Sequence, residues 1–149
     1  MTIRKASYKE TQEILNQSLE VLIEATTGHV VPRKEKALQL ISPFLYNGGY
    51  YLVHSEDNVM NGWIGVGRTT DYYTDEVVGF IPEMYVLPSY RNQGIAEKLC
   101  VEGIKQLKDQ GYKKVQLNVF AENHAKHLYQ KLGFQEVSTL MEKNLDNIR

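Results

Sequence analysis

Residues 85–99, YVLPSYRNQGIAEKL, decide the fold. The stretch opens as a strand and passes Pro88. It then reaches Arg91-Asn92-Gln93-Gly94-Ile95-Ala96 and runs on with no helix breaker until Gly103. A strand therefore hands over to a long helix through a turn that carries arginine and glycine. The first N–H groups of a helix have no intrahelical acceptor, and the macrodipole adds partial positive charge, so an anion docks there. Gly94 keeps a side chain away from that backbone, Ala96 stays small behind it, and Arg91 offers a charge-assisted contact. The turn reads as a phosphate holder. It is not a nucleotide P-loop, because no Gly-Lys-Ser/Thr follows, and it lacks the earlier glycine of the dinucleotide fingerprint.

Working outward, residues 2–5 read as a short strand, followed by the capping box Ser7-x-x-Glu10. Ile14, Leu15, Leu19, Leu22 and Ile23 recur at helical spacing and predict one helix ending near Thr26-Thr27-Gly28. A second helix is predicted over residues 33–45. Strands follow at 50–54, 61–68 and 77–86, joined by short polar turns as an antiparallel meander. Behind the opening stretch, residues 94–110 form a helix with Ile95, Leu99, Ile104 and Leu107 inward and Gly111 as its cap. Residues 114–120 form a strand in which Val115, Leu117 and Val119 alternate. Strand, helix, strand is a parallel crossover. Asn123 caps a helix over 124–132 that Gly133 closes, and residues 134–145 supply the last strands. The expected fold is one α/β (α+β) domain over residues 1–149, a mixed sheet with helices on both faces.

The 149-residue length fits one domain with a real core. Seventeen basic against 18 acidic side chains leave a net charge of −1, which argues against nucleic acid or an anionic membrane as the main partner. The single cysteine, Cys100, allows no intrachain disulfide and reads as core. His29, His54, His124 and His127 have no metal-ligand spacing, so no metal is expected. Neither a signal-peptide core nor a membrane-length apolar run is visible, which makes a cytoplasmic protein the default.

Arg91-x-x-Gly94-x-Ala96, after Val86-x-Pro88 and before a long helix, resembles the signature of the GCN5-related N-acetyltransferase (GNAT) family. The run VQLNVFAENHAKHLYQKLGF, residues 115–134, is similar to that family's next strand and helix, with Asn123, Ala125, Tyr129 and Gly133-Phe134. The resemblance implies acetyl-CoA in a cleft between two splayed parallel strands and no metal. The pantetheine arm would pair with the backbone of Met84, Tyr85 and Val86. The pyrophosphate would sit on the amides of Asn92, Gln93, Gly94, Ile95, Ala96 and Glu97, with Arg91 beside them and Asn123 on the pantetheine. Pro82 agrees with a strand that stops pairing there.

Acetyl transfer needs a neutral amine, although a lysine-like ammonium has a pKa of about 10.4. It also needs a donor to the oxyanion and a proton or hydrogen bond for the leaving thiolate. By resemblance, Glu83 is the base, through an ordered water, and Tyr129 is the acid. Some relatives carry the glutamate on the other splayed strand, where this chain has Asn118. The N–H of Val86, or of a neighbour on that strand, is the natural oxyanion donor. The acceptor is a small-molecule amine, a polyamine or a peptide, placed by residues 25–32, the loop 71–76 and the last two strands. Asp71, Asp75 and Glu76 could draw a cation. Only residues 134–145 remain for two strands, which leaves the acceptor side open. Exposed sheet edges allow a homodimer without specifying its interface. Two other classes share these features: a non-catalytic acetyl-CoA sensor or partner subunit, and a simple phosphate-binding domain.

Overall fold

A computed structural model describes residues 2–147 of the chain. β1 (Thr2–Lys5) pairs antiparallel with β2 (Tyr50–Glu56), and β2 with β3 (Val59–Thr70). The β2–β3 turn uses Asp57 and Asn58 at positive φ, the hairpin chemistry that favours short polar residues. The predicted strand over 77–86 is two strands, β4 (Val77–Phe80) and β5 (Met84–Val86), both antiparallel to β3. Gly67 opposes Phe80 and Ile64 opposes Met84, so three steps along β3 meet four on the facing chain. That extra residue is a β-bulge, and Pro82 lies inside it. Gly65 makes the bulge fit, because a Cβ there would stand 2.9 Å from Pro82 Cγ.

Helices cover both faces, as expected. α1 (Tyr8–Leu15), α2 (Ser18–Thr26) and α3 (Lys34–Tyr46) bury Ile14, Val21, Ile41 and Phe44 against Tyr51, Val53, Trp63 and Tyr85. α4 (Ile95–Asp109) buries Ile95, Leu99, Cys100 and Leu107 against Leu52, Ile64 and Val66 on the other face. The alternation along β2 sorts its side chains, with Tyr51 and Val53 to one side and Leu52 to the other. The predicted capping box is present, and Glu10 also holds Arg4 at 2.7 Å.

Four expectations change. The first helix is two, because Gln17 N–H turns back to Ile14 C=O at 2.9 Å and the axis restarts at Ser18. Ile104 is only half-buried, and Gly103 takes the inward place against Ile64. Of residues 114–120 only β6 (Val115–Gln116) joins a ladder, parallel to β4. α5 (Ala125–Lys131) follows, and residues 134–144 then run without any ladder to a 3-10 turn, Leu145–Asn147. The last strands predicted there are not formed among the described residues. Among the described residues, no helix is long and apolar enough to cross a membrane.

Candidate active site

The parallel ladder between β4 and β6 ends abruptly. Gly79 N–H donates to Lys114 C=O and Ile81 N–H to Gln116 C=O, at 2.9 and 3.0 Å. The next donor on that side would be Glu83, but the bulge at Pro82 turns Glu83 toward β3, where its C=O accepts from Gly65 N–H at 2.8 Å. The bulge carries β5 back onto β3 while the chain after Gln116 departs, and the two strands splay. A cleft of about 510 Å³ opens between them, bounded by α2, β5, the turn before α4, residues 118–119 and the start of α5.

The backbone of β5 faces this cleft by simple alternation. Glu83 C=O accepts from Gly65 N–H, and Leu87 N–H donates to Asn61 C=O, so odd-numbered residues bond to β3. Met84 and Val86 therefore turn their N–H and C=O groups to the opening. Val86 C=O accepts Arg91 Nε at 2.8 Å.

The turn before α4 presents backbone that can receive an anion. Asn92 and Gly94 both adopt left-handed backbone, φ +64° and +79°. For Gly94 the reason is the dihedral rather than space, since a Cβ there would meet nothing within 4 Å. None of the backbone N–H groups of residues 92–97 donates to another backbone group among the described residues. Those of a 15-residue helix end are left for a ligand. Asn92, Gly94, Ile95, Ala96 and Glu97 line the cleft, whereas Gln93 lies outside its lining.

Arg91 is placed differently from the sequence expectation. It lines the cleft, but its guanidinium is engaged by Glu24 of α2 at 2.5 Å, by Val86 C=O, and by the face of Tyr85 at 5.2 Å. It ties α2 to the site instead of reaching toward the turn. Asn123 is also committed within the chain: Oδ1 accepts from Ala125 N–H at 2.9 Å and Nδ2 donates to Ala25 C=O at 3.3 Å. It caps α5 from one residue before the N-cap, which is His124.

Glu83 and Tyr129 line the same cleft. Glu83 sits on the α1–α3 side, where Tyr51 Oη donates to its carboxylate in a short hydrogen bond. Burial pushes the Glu83 carboxyl up to about 7, and the Tyr51 hydrogen bond opposes that rise. Burial, and then the Glu83 charge, push Tyr51 well above the usual phenol range. Tyr129 is buried on the α4 side, packed edge-on to Phe134 at 5.7 Å. Burial first, and the neighbouring Cys100 second, raise its hydroxyl. Cys100 is fully buried beside Met84 Sδ, and its thiol is pushed up to about 12, a core cysteine.

The acidic loop does not reach the cleft. Asp71 accepts from Tyr73 N–H, Thr74 N–H and Gln116 Nε2, which pins the loop to β6, and Glu76 pairs with Lys114 at 3.3 Å. The carboxylates at the cleft are Glu24, Glu83, Glu97 and Glu122. Glu24, Glu122 and Tyr51 were not singled out from the sequence. Tyr51 reads there as one more alternating strand residue, and Glu24 reaches the site only because the first helix restarts at Ser18.

A splayed parallel pair with an amide-lined turn beneath it defines an acyl-CoA-type cleft on a mixed sheet. The profile of the acetyltransferase (GNAT) family matches residues 12–134. An uncharacterised N-acetyltransferase of Escherichia coli, YjgM, is 29% identical over 123 residues, 80% of this chain and 71% of that protein. A second, YycN of Bacillus subtilis, is 31% identical over 85 residues, 56% of this chain and about half, 53%, of its own length. A putative acetyl transferase from Pyrococcus furiosus superposes with a TM-score of 0.82 at 22% identity, covering 97% of this chain and 99% of its own. A predicted acetyltransferase from Clostridium acetobutylicum, solved with acetyl-CoA, gives 0.73 at 21% identity over 97% of this chain and 96% of its own. The chain belongs to the acetyltransferase (GNAT) family and is an acetyl-CoA-dependent N-acetyltransferase.

Proposed function

We propose that the chain, as one domain over residues 1–149 whose residues 1, 148 and 149 lie outside those described, moves acetyl from acetyl-CoA directly to a primary amine in a ternary complex. The observation that carries this is the single cleft that joins the unbonded turn amides, the free edge of β5, Glu83 and Tyr129. Acetyl-CoA supplies an activated thioester when bound. The amides of residues 92–97 receive its pyrophosphate at the α4 N-terminus, and Met84 pairs with its pantetheine, since Val86 C=O is held by Arg91.

Glu83 takes the proton that the attacking amine must lose, through a water. A carboxyl held near pH 7 is half ionised at neutral pH and matched to that task. Val86 N–H donates to the oxyanion that forms as nitrogen bonds to the carbonyl carbon. As the C–S bond breaks, Tyr129 holds the sulfur. Its raised pKa keeps the phenol protonated, so it gives the thiolate a hydrogen bond more readily than a full proton. The acceptor enters between α2 and the ends of β5 and β6, past Glu122, which favours a cationic amine such as a polyamine, a peptide amine or a small diamine.

Thermal unfolding with acetyl-CoA, set against pyrophosphate at equal ionic strength, tests the cleft. Saturation at 100 times Kd adds about 2.7 kcal/mol. A rise with acetyl-CoA alone, followed by thiol release with an amine panel, supports the reading. Binding without release from any amine would leave a CoA-binding subunit in its place.

A further inference from the structure

Two exposed aromatic rings on a fixed loop are left unused by acetyl transfer in the cleft. Tyr72 and Tyr73, between β3 and β4, are 89% and 86% exposed. They pack edge-on to each other at 5.6 Å and to no other ring among the described residues. The loop beneath them is pinned. Asp71 N–H donates to Glu76 C=O at 2.7 Å, and Asp75 N–H to Asp71 C=O at 2.9 Å. The Asp71 carboxylate accepts from Tyr73 N–H, Thr74 N–H and, on β6, Gln116 Nε2 at 2.7 Å. Rings displayed on a held backbone lose little freedom on contact, which is why tyrosine is a common anchor of binding surfaces.

Their position suggests an occupant. On β6 and the residues after it, Val115, Leu117 and Val119 pack on the α4 core, so Gln116, Asn118 and Phe120 alternate onto the face shared with α1–α3. Gln116 holds the Asp71 loop, Asn118 lines the cleft, and Phe120 stacks on His29 of the α2–α3 loop at 5.7 Å. Glu83 and its Tyr51 partner stand on the same side of the sheet. The tyrosine loop therefore lies outside the cleft but beside its acceptor entrance. Gln116 and Asn118 are two residues apart, about 7 Å of extended chain, so a peptide leaving Glu83 along this face reaches the loop after about three or four residues. Charge narrows the chemistry. Asp75 on the loop and Glu122 at the cleft are exposed, and neither is ion-paired among the described residues.

Resting on acetyl transfer to an amine at Glu83, we infer that the acceptor is an extended basic peptide. Its reactive amine enters the cleft, its backbone crosses Asn118 and Gln116, and a cationic side chain about three or four residues on packs over Tyr72 and Tyr73 beside Asp75. A guanidinium or ammonium over a tyrosine ring gains a cation–π contact, and the carboxylate reinforces it. A small amine fills the cleft alone and gains nothing from the loop.

Steady-state kinetics with matched acceptors test this. One probe is a hexapeptide amide with a free α-amine and arginine at its fourth and fifth positions. The other has an acetylated α-amine and a lysine in first place, so that it offers an ε-amine. The corresponding one-residue amides are the short controls. For the amine that the enzyme uses, the hexapeptide should exceed its control by about tenfold in kcat/KM, mostly through KM, and citrulline in place of both arginines should remove the gain. Tyr72→Ala/Tyr73→Ala should also remove it, with the short control and the acetyl-CoA Kd unchanged, whereas Tyr72→Phe/Tyr73→Phe should keep it. Both positions are exposed, so the variants fold whether or not the inference holds, and the acetyl-CoA Kd checks that. Short amines acetylated as well as the hexapeptides, or a gain that survives the double alanine variant, overturn the peptide dock and leave acetyl transfer standing. Acetyl-CoA bound with neither length of amine acetylated overturns the transfer reading, and the dock with it.

Discussion

Glu83 is held between two opposing influences, and that opposition is testable. Burial lifts its carboxyl to about 7, while the Tyr51 hydroxyl stabilises the ionised form and pulls it down. A base must be ionised to act, so kcat/KM rises with pH through about 7 and levels above it. Glu83→Gln should abolish that limb and lower kcat/KM by about 10²-fold. Tyr51→Phe removes the hydrogen bond that favours the charge and should move the limb to higher pH. A pH–rate profile that Tyr51→Phe leaves in place reduces Tyr51 to packing. The same shift bears on stability. The unfolded carboxyl ionises near 4.5 and the folded one near 7, so stability falls as pH rises across that window. Glu83→Gln should then melt several degrees above wild type when compared above pH 7 and together with it below pH 4.5. Tyr129→Phe keeps the ring on Phe134 and should lower kcat about 10- to 100-fold with little change in acetyl-CoA Kd. Glu83 and Tyr129 were legible in the sequence because motifs flank them. Tyr51 was not, since a contact across 32 residues leaves no local pattern.

At the scale of elements, two glycines with the same backbone separate structure from binding. Gly94 opens α4 at φ +79° and Gly111 follows it at φ +96°, and a Cβ at either would meet nothing within 4 Å. Alanine at either should cost about 1 kcal/mol, from the left-handed backbone alone. Only Gly94→Ala should also raise KM for acetyl-CoA, because relaxing that dihedral re-aims the amides of residues 92–97. Urea unfolding and acetyl-CoA titration on the pair check it, and equal KM values would separate the turn from the co-substrate. The turn, α4 and the capping box of α1 could be read from sequence because each is set by residues three or four apart. The bulge at Pro82 and the restart at Ser18 could not. Pro82 marks a place where pairing stops, but only the register against β3 shows the extra residue. Asn16-Gln17-Ser18 contains no breaker, so the two helices are separated by how they pack on the sheet rather than by local propensity.

Across the whole molecule the charge is nearly balanced, at −1, yet the cleft is not. Four glutamates line it, and the arginine among them is paired with Glu24. In the proposed reading the anionic co-substrate is received by backbone amides, which no salt bridge neutralises. At the proposed acceptor end Glu122 is exposed and Glu83 lies deeper, neither paired with a cation among the described residues, and their negative potential would draw a cation inward. Exposed charges of this kind are screened by salt, whereas amide hydrogen bonds inside the cleft are screened much less. Raising ionic strength should therefore raise KM for a polyamine more than for a monoamine, by several-fold at glutamate sites within about one Debye length. KM for acetyl-CoA should move little. Glu122→Gln should reproduce the polyamine effect at low salt without touching kcat. Steady-state kinetics with a monoamine and a triamine at two ionic strengths make the comparison, and equal salt dependence for both would mean that the acceptor is chosen by shape rather than by charge.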